Sequence, residues 1–186
     1  GGTITVHADG TVGSSKRGKI VARGKKKQTA AGVVDVSGDA GVNLLGRIEA
    51  RGLYGGSVSA TSSTRNLTLE EEIRAYGEFG SGGTVNVTAP TGTLTIGGKK
   101  GAIKANGGSP AGGGSVTLSA VTVDAQKVLS ARGLTTFTGG TIDVTRQSVV
   151  LRTIKVRGGS GGSLNVTSTV GSIGISSAVQ ADGKTG

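Results

Sequence analysis

The segment Ile48-Glu49-Ala50-Arg51-Gly52 decides the fold, because close copies of it recur along the whole chain. The pattern aliphatic-x-Ala-x-Gly, with Val in place of Ala once, occurs seven times and closes at Gly24, Gly52, Gly77, Gly107, Gly133, Gly158 and Gly183. Successive closing glycines are 25 to 30 residues apart. A period of this size is typical of solenoid proteins.

Two further segments repeat with the same period. One follows a pair of small residues and then alternates strictly, as in Gly82-Gly83-Thr84-Val85-Asn86-Val87. The other is a short aliphatic-x-aliphatic unit, found as Val42/Leu44, Leu67/Leu69, Leu94/Ile96, Val121/Val123, Val149/Leu151 and Ile173/Ile175. Only the first coil lacks a clear copy of it, since Gly13-Ser14 follows Val12. Alternation with a period of two predicts strands that have one inward and one outward face.

Each repeat therefore predicts three short strands joined by three turns, with no room for a helix of ordinary length. One repeat cannot bury its aliphatic face alone, so equivalent strands must stack from coil to coil. Connections between parallel neighbours are overwhelmingly right-handed. The sequence predicts an all-β, right-handed parallel β-helix of about seven coils, with residues 1–186 as a single solenoid segment.

Composition narrows the class of protein further. Glycine supplies 37 of the 186 residues, yet only two prolines and no G-X-Y register occur, which excludes collagen. The chain has no Cys, so disulfides and thiolate chemistry are excluded, and no apolar run is long enough to span a membrane. No capping helix is evident, so we expect a slice of a longer array, continued by the same chain or by end-to-end stacking of identical units.

The strand pattern of Gly82-Gly83-Thr84-Val85-Asn86-Val87 and the segment Gly46-Arg47-Ile48-Glu49-Ala50-Arg51-Gly52 resemble the β-helical repeats of filamentous-haemagglutinin-type exoproteins. The resemblance covers essentially all seven coils. It implies a large extracellular bacterial protein, secreted through a partner outer-membrane pore, that forms a long rod at the cell surface. Adhesion, biofilm cohesion or toxin display are the roles that it implies. The N-terminal secretion domain of that family is not recognisable in this sequence.

Charge is the strongest functional signal, because the net charge at pH 7 is +10. The residue before the closing glycine forms an outward basic column, and further basic residues cluster at the turns. The candidate polyanion-binding residues are Arg23, Arg51, Arg132 and Arg157 in the column, and Lys16, Arg17, Lys19, Lys25, Lys26, Lys27, Lys99 and Lys100 in the clusters. This surface either keeps neighbouring rods apart by mutual repulsion or attracts polyanions such as acidic polysaccharide, lipopolysaccharide or nucleic acid.

Residues that could carry catalysis or bind a metal are sparse. The single histidine, His7, lies on the outward side of the first strand without Cys or carboxylate companions, so we predict no metal site and no cofactor. The run Glu70-Glu71-Glu72 falls where other coils have Lys16-Arg17-Gly18-Lys19 and Lys99-Lys100-Gly101, which predicts a solvated turn. The four aromatic residues, Tyr54, Tyr76, Phe79 and Phe137, are too few for the sugar platforms of β-helical polysaccharide-acting enzymes. We therefore expect no catalytic residues.

The outward side of the first strand predicts a ladder of small polar residues, as in Ser57/Ser59/Thr61 and Thr84/Asn86/Thr88. Such side chains can hydrogen-bond from coil to coil and reinforce the backbone pairing. The leading hypothesis for function is thus structural, the shaft of a surface fibre or adhesin. The alternatives are a polyanion-binding or glycan-binding solenoid and, third, a polysaccharide-acting enzyme.

Overall fold

The computed structural model describes residues 1–24, 31–108, 111–133 and 138–183. Within these ranges the chain contains seventeen strands and no helix, and hence no helix that could cross a membrane. Every pairing between named strands is parallel. The predicted parallel β-helix is therefore confirmed, while its right-handed sense stays a prediction of the crossover rule.

The strands form three faces, and the chain visits each face once per layer. The first face contains β1 (Thr3–Ala8), β4 (Val33–Gly38), β7 (Ser57–Ser62), the first parts of β10 (Thr84–Ile96) and β12 (Ser115–Ser130), β13 (Thr141–Arg146) and β15 (Ser163–Ser168). The second contains β2 (Thr11–Ser14), β5 (Gly41–Leu44), β8 (Leu67–Leu69), the following parts of β10 and β12, the first part of β14 (Ser148–Lys155) and β16 (Ile173–Ile175). The third contains β3 (Lys19–Arg23), β6 (Arg47–Gly52), β9 (Glu72–Gly77), β11 (Ala102–Lys104), the ends of β12 and β14, and β17 (Val179–Gln180).

Each face thus carries seven strand segments, which we number as layers 1 to 7 from the N-terminus. With six steps between layers at about 4.8 Å each, the solenoid measures roughly 29 Å along its axis.

The core consists of aliphatic columns in which like residues lie on like. The third-face column contains Ile20, Ile48, Ile73, Ile103, Leu129, Ile154 and Val179 in continuous register. A first-face column contains Ile4, Val34, Val58, Val85, Val116, Ile142 and Leu164. In the inner layers these side chains are fully buried. The period-two alternation therefore places the aliphatic residues inward, as predicted.

The corner between the third and first faces explains why the two glycine-containing motifs occur together. A Cβ added to Gly83 would lie 2.7 Å from the Ala75 Cβ and 2.1 Å from the Gly56 carbonyl oxygen, and one added to Gly56 would lie 2.7 Å from the Ala50 Cβ. The Gly83 amide also donates to the Ala75 carbonyl at 3.1 Å. The small residue before each first-face strand and the alanine of the preceding third-face strand therefore fit against each other.

Two details of the second face differ from the prediction. The first coil does have a second-face strand, because β2 pairs with β5 and places Val12 opposite Val42. In layer 5 the inward pair is Val123/Ala125 rather than Val121/Val123, since Val123 lies opposite Leu94. The physical reason is corner length: three residues separate the two pairing regions in layer 4, between Ala89 and Thr93, whereas Val121 alone does so in layer 5.

Candidate functional site

The outward side of the third face carries eight of the nine charged residues that lie in strands of layers 1 to 4. Because the aliphatic residues and alanines of these strands point inward, the residues between them point outward. Register places Lys19, Arg47 and Glu72 in one outward column, and Glu49, Arg74 and Lys104 in the next. We call Lys19, Arg23, Arg47, Glu49, Arg51, Glu72, Arg74 and Lys104 the charged face.

Glu49 is the centre of this face. Its side chain is only 3% exposed, because guanidinium groups surround it. Its carboxylate oxygens lie 3.3 Å from Arg23 Nη2, 3.3 Å from Arg47 Nη2 and 3.4 Å from Arg51 Nη1. A carboxylate so deeply buried is tolerated only when it is paired and hydrogen-bonded. The three arginines therefore belong to one ionic cluster that spans layers 1 and 2.

Glu72 forms a second ionic cluster one layer further along. It accepts hydrogen bonds from Arg74 Nε and lies 2.5 Å from Lys104 Nζ. Burial alone raises the pKa of the Glu72 carboxyl, but the hydrogen bonds from Lys104 and Arg74 outweigh burial, so this pKa lies below its ordinary value. Burial lowers the pKa of Arg74, and the contact with Glu72 more than offsets it, so the pKa of Arg74 is raised.

The position of Glu72 corrects the predicted solvated turn. Glu70 and Glu71 lie half-buried at the corner between the second and third faces, but Glu72 is the first residue of β9 and only 8% exposed. The turn is thus one residue shorter than the acidic run, because pairing with Ala102 in the next layer holds Glu72 in the strand.

Most arginines of the predicted basic column are paired with carboxylates and are therefore not free to bind an external anion. Arg23 and Arg51 are opposite each other in register, but both contact Glu49, and Arg51 Nη2 also lies 2.5 Å from Glu78. Arg157 pairs with Asp182 at 3.0 Å. Arg132 is exposed, and its backbone amide donates to the Asn106 side chain. Three of the four column arginines therefore have carboxylate partners.

The basic residues at the turns, in contrast, come together in space, because Lys16, Arg17, Lys19 and Lys100 line one cavity. The corner between the second and third faces contains a cavity of about 300 Å³, which we call the corner pocket. Its cationic lining residues are Lys16, Arg17, Lys19, Arg47, Arg74 and Lys100, and its acidic lining residues are Glu71 and Glu72. Lys99 lines a neighbouring cavity of about 260 Å³ together with Lys16 and Glu70. Lys16 Nζ lies 3.5 Å from Glu70.

Lys25, Lys26 and Lys27, which were also predicted to bind polyanions, lie outside the described residues, as does Phe137.

Sequence reasoning missed Arg47, Glu49, Arg74 and Lys104 as members of the charged site. A signal for them was present, because alignment of the seven copies of the third-face motif places these residues in adjacent outward columns. The signal was weak because none of the four occupies the position before the closing glycine, where the repeated arginines lie.

The first face is nearly free of charge pairing. His7 is exposed as predicted, with its Nδ1 2.9 Å from Ser37 Oγ, but contrary to the prediction it has a carboxylate neighbour, since its Nε2 lies 3.3 Å from Asp9. The Asn165 amide donates to Asp143 at 2.7 Å across one layer step. The expected polar ladder is thus present, and two side-chain contacts between layers are formed in it. No group of three His, Cys, Asp or Glu residues that could hold a metal ion occurs in the part of the chain that the structure describes.

Exposed aromatic residues lie near the other end of the third face. Tyr54 and Phe79 are about half exposed, and the Arg74 guanidinium carbon lies 5.9 Å from the centre of the Tyr76 ring. None of them lines the corner pocket. The pocket is therefore an ionic site without an aromatic stacking surface among its described lining residues.

No protein-family model, no curated protein and no solved structure matches this chain.

Proposed function

We propose that this chain is a shaft segment of an extracellular bacterial fibre or adhesin. The observation that carries the proposal is the continuity of all three faces, which stay in parallel register from layer 1 to layer 7. A solenoid with such continuous columns extends at constant cross-section, because every layer offers the next the same apolar surface and the same row of backbone hydrogen-bonding groups.

The direction of the hydrogen bonds suits this role. In a parallel β-helix the bonds between strands run along the axis, so a pull on the rod is shared by three faces in every layer. The polar ladder of the first face and the ion pairs of the third face add side-chain contacts along the same direction. Under this proposal the chain needs no catalytic residue and no cofactor.

Stacking with a further coil, supplied by the same polypeptide or by a second copy, is part of this proposal. The layer 7 strands β16 and β17 pair with β14 in the same parallel manner as the inner strands, so the pairing can be repeated from coil to coil. The resemblance of the repeats to filamentous-haemagglutinin-type exoproteins supports a location outside the cell and export through a partner pore.

Cryo-electron microscopy of the native material tests this proposal. We expect a continuous rod with an axial repeat of about 4.8 Å whose coils run past both ends of this segment. An antibody against the chain should label intact producing cells without permeabilisation. Isolated capped particles would contradict the shaft, and labelling only after lysis would contradict the surface location.

A further inference from the structure

The corner pocket contains more positive charge than its own carboxylates can balance. Six cationic side chains line it against two glutamates, and counting Glu49 beside Arg47 and Glu70 beside Lys16 still leaves an excess of two positive charges. Glu72 is already engaged by Arg74 and by Lys104, which lies outside the lining. A concave site with charge of one sign concentrates the field and attracts ions of the opposite sign. The net charge of the pocket therefore favours binding of an anion.

The lining cations come from four successive layers. Lys19 lies in layer 1, Arg47 in layer 2, Arg74 in layer 3 and Lys100 at the layer 4 corner. Register places Lys19 and Arg47 opposite each other on neighbouring strands, so their backbones lie about 4.8 Å apart and both cationic side chains line the pocket. Like charges that share one pocket repel each other, and of these two only Arg47 has a carboxylate partner among the described residues, Glu49. A bound anion between them would remove the repulsion.

Arg47 gives a second, independent indication. Its Nε is buried and has no hydrogen-bond partner among the described residues, although its Nη2 lies 3.3 Å from Glu49. A buried donor without an acceptor typically costs about 1–3 kcal/mol, and such a donor often marks the place of an unseen ion or water. An oxyanion that drew the Arg47 guanidinium toward the pocket would supply the missing acceptor.

We propose that the corner pocket binds a phosphate group, with Arg47, Lys19 and Lys100 as its principal ligands. The two N–H groups of a guanidinium can bind two oxygens of a phosphate at once. A phosphate monoester carries almost two negative charges and has three acceptor oxygens. The volume of about 300 Å³ leaves room for a body attached to the phosphate, and Glu71 in the wall offers an acceptor to its hydroxyl groups. A phosphorylated sugar and free phosphate are the two sources of this chemistry.

Nucleic acid fits the pocket less well. Base stacking on aromatic side chains supplies about 1–3 kcal/mol per base in single-strand binders, and no aromatic residue is among the described lining residues. The two glutamates in the wall would also repel a continuous phosphodiester backbone. This inference is independent of the proposed shaft function, since a single segment contains the whole pocket.

Isothermal titration calorimetry at constant ionic strength tests the proposal on the purified chain. The probes are inorganic phosphate, glucose 6-phosphate, glucose and a single-stranded oligonucleotide. We expect saturable 1:1 binding of at least one phosphate probe and none of glucose. Tighter binding of glucose 6-phosphate than of inorganic phosphate would assign the site to a phosphorylated sugar, and equal binding would assign it to free phosphate.

A matched pair of double variants locates the site. Lys19→Gln/Lys100→Gln removes two exposed pocket cations and should weaken binding at least tenfold, while Arg65→Gln/Arg152→Gln removes the same charge from exposed positions outside the pocket and should change it less than twofold. Circular dichroism verifies that both variants fold. Equal weakening in both variants, no saturable phosphate binding, or tighter binding of the oligonucleotide than of either phosphate probe would each overturn the proposal.

Discussion

The interior of the solenoid and the charged face are built from the same strands, but they follow opposite rules. Inside, Ile20, Ile48 and Ile73 repeat one residue type from layer to layer, and outside, Lys19, Arg47 and Glu72 change from cation to anion along the same strands. Apolar contacts are non-directional, so identical layers stack without penalty. Like charges in neighbouring strands repel, so an outward ionic column is stable only with a carboxylate close by.

This difference separates what specifies the fold from what distinguishes one layer from another. Every layer contributes one aliphatic residue to the third-face column. The interior is therefore nearly the same in every layer and does not distinguish one layer from another. The buried glutamates occur only in layers 2 and 3 of the described residues, where they organise the arginines around the corner pocket. We therefore expect binding sites in those layers whose outward residues differ from the residues at the same positions in other layers.

The largest effect should come from placing a charge in the interior. Ile48 is 1% exposed, so Ile48→Asp buries a carboxylate without a partner. We expect the free energy of unfolding to fall by more than about 4 kcal/mol, measured by urea denaturation. Thr68→Asp is the matched control, because Thr68 is half-buried on the outward side of the second face between Asn43 and Thr95. Equal stability of Ile48→Asp and wild type would contradict the inward assignment.

The charged face should respond next most strongly. Glu49→Gln leaves Arg23, Arg47 and Arg51 close together without their shared carboxylate. Removal of one partner from a buried ion pair typically costs about 3–5 kcal/mol, and we expect about 3 kcal/mol here because the arginines can turn partly toward solvent. Chemical denaturation measures it.

The control for Glu49→Gln is Glu71→Gln, which removes the same charge from a half-buried corner residue. It should change stability by less than about 0.5 kcal/mol. If both substitutions had the same effect, net charge rather than the cluster around Glu49 would determine stability.

The glycine and alanine corner should be sensitive to a single added methyl group. Gly83→Ala would place a Cβ 2.1 Å from the Gly56 carbonyl oxygen, so the corner must open. We expect a loss of about 2 kcal/mol in thermal or chemical denaturation, as for overpacked interiors. Gly10→Ala is the control, because its added Cβ has no atom within 4 Å and should be tolerated. A stable Gly83→Ala variant would mean that the corner adapts.

The fold was predictable because the sequence pattern that specifies it is repeated in every layer. Seven copies of one pattern place Ile48 and its column neighbours inward, and an error in any one copy is corrected by the others. Corner lengths are not repeated, which is why Val121 was assigned to the inward pair of the second face although it lies between the two pairing regions of β12. Strand register is a property of the repeat, whereas the length of each turn belongs to one layer alone.

The candidate site was predictable only in its corner clusters. Lys16, Lys19 and Lys100 were predicted from basic clusters in the sequence, and they line one pocket. The ion pairs were not identified, because long side chains cross layers and reach residues far along the chain, as Arg51 reaches Glu78. Their pairing depends on register, turn length and rotamer together, and one motif position does not determine these.

The smallest expected effect is also the most specific to charge. In the folded chain the pKa of Glu72 is below its ordinary value. The ion pairs of Glu72 therefore stabilise the fold fully at pH values above the unfolded pKa of about 4.3. This stabilisation is lost as the pH falls through the folded pKa. Glu72→Gln should therefore lower the free energy of unfolding by about 1 kcal/mol at pH 7, and the difference from wild type should shrink below about pH 4. Urea denaturation between pH 3 and pH 7 measures this difference, with Glu71→Gln as the control whose difference from wild type should stay small throughout. A Glu72→Gln deficit that persisted unchanged at pH 3 would show that Glu72 stabilises the strand by its packing, and the comparison between an apolar interior and an ionic exterior would then fail at this residue.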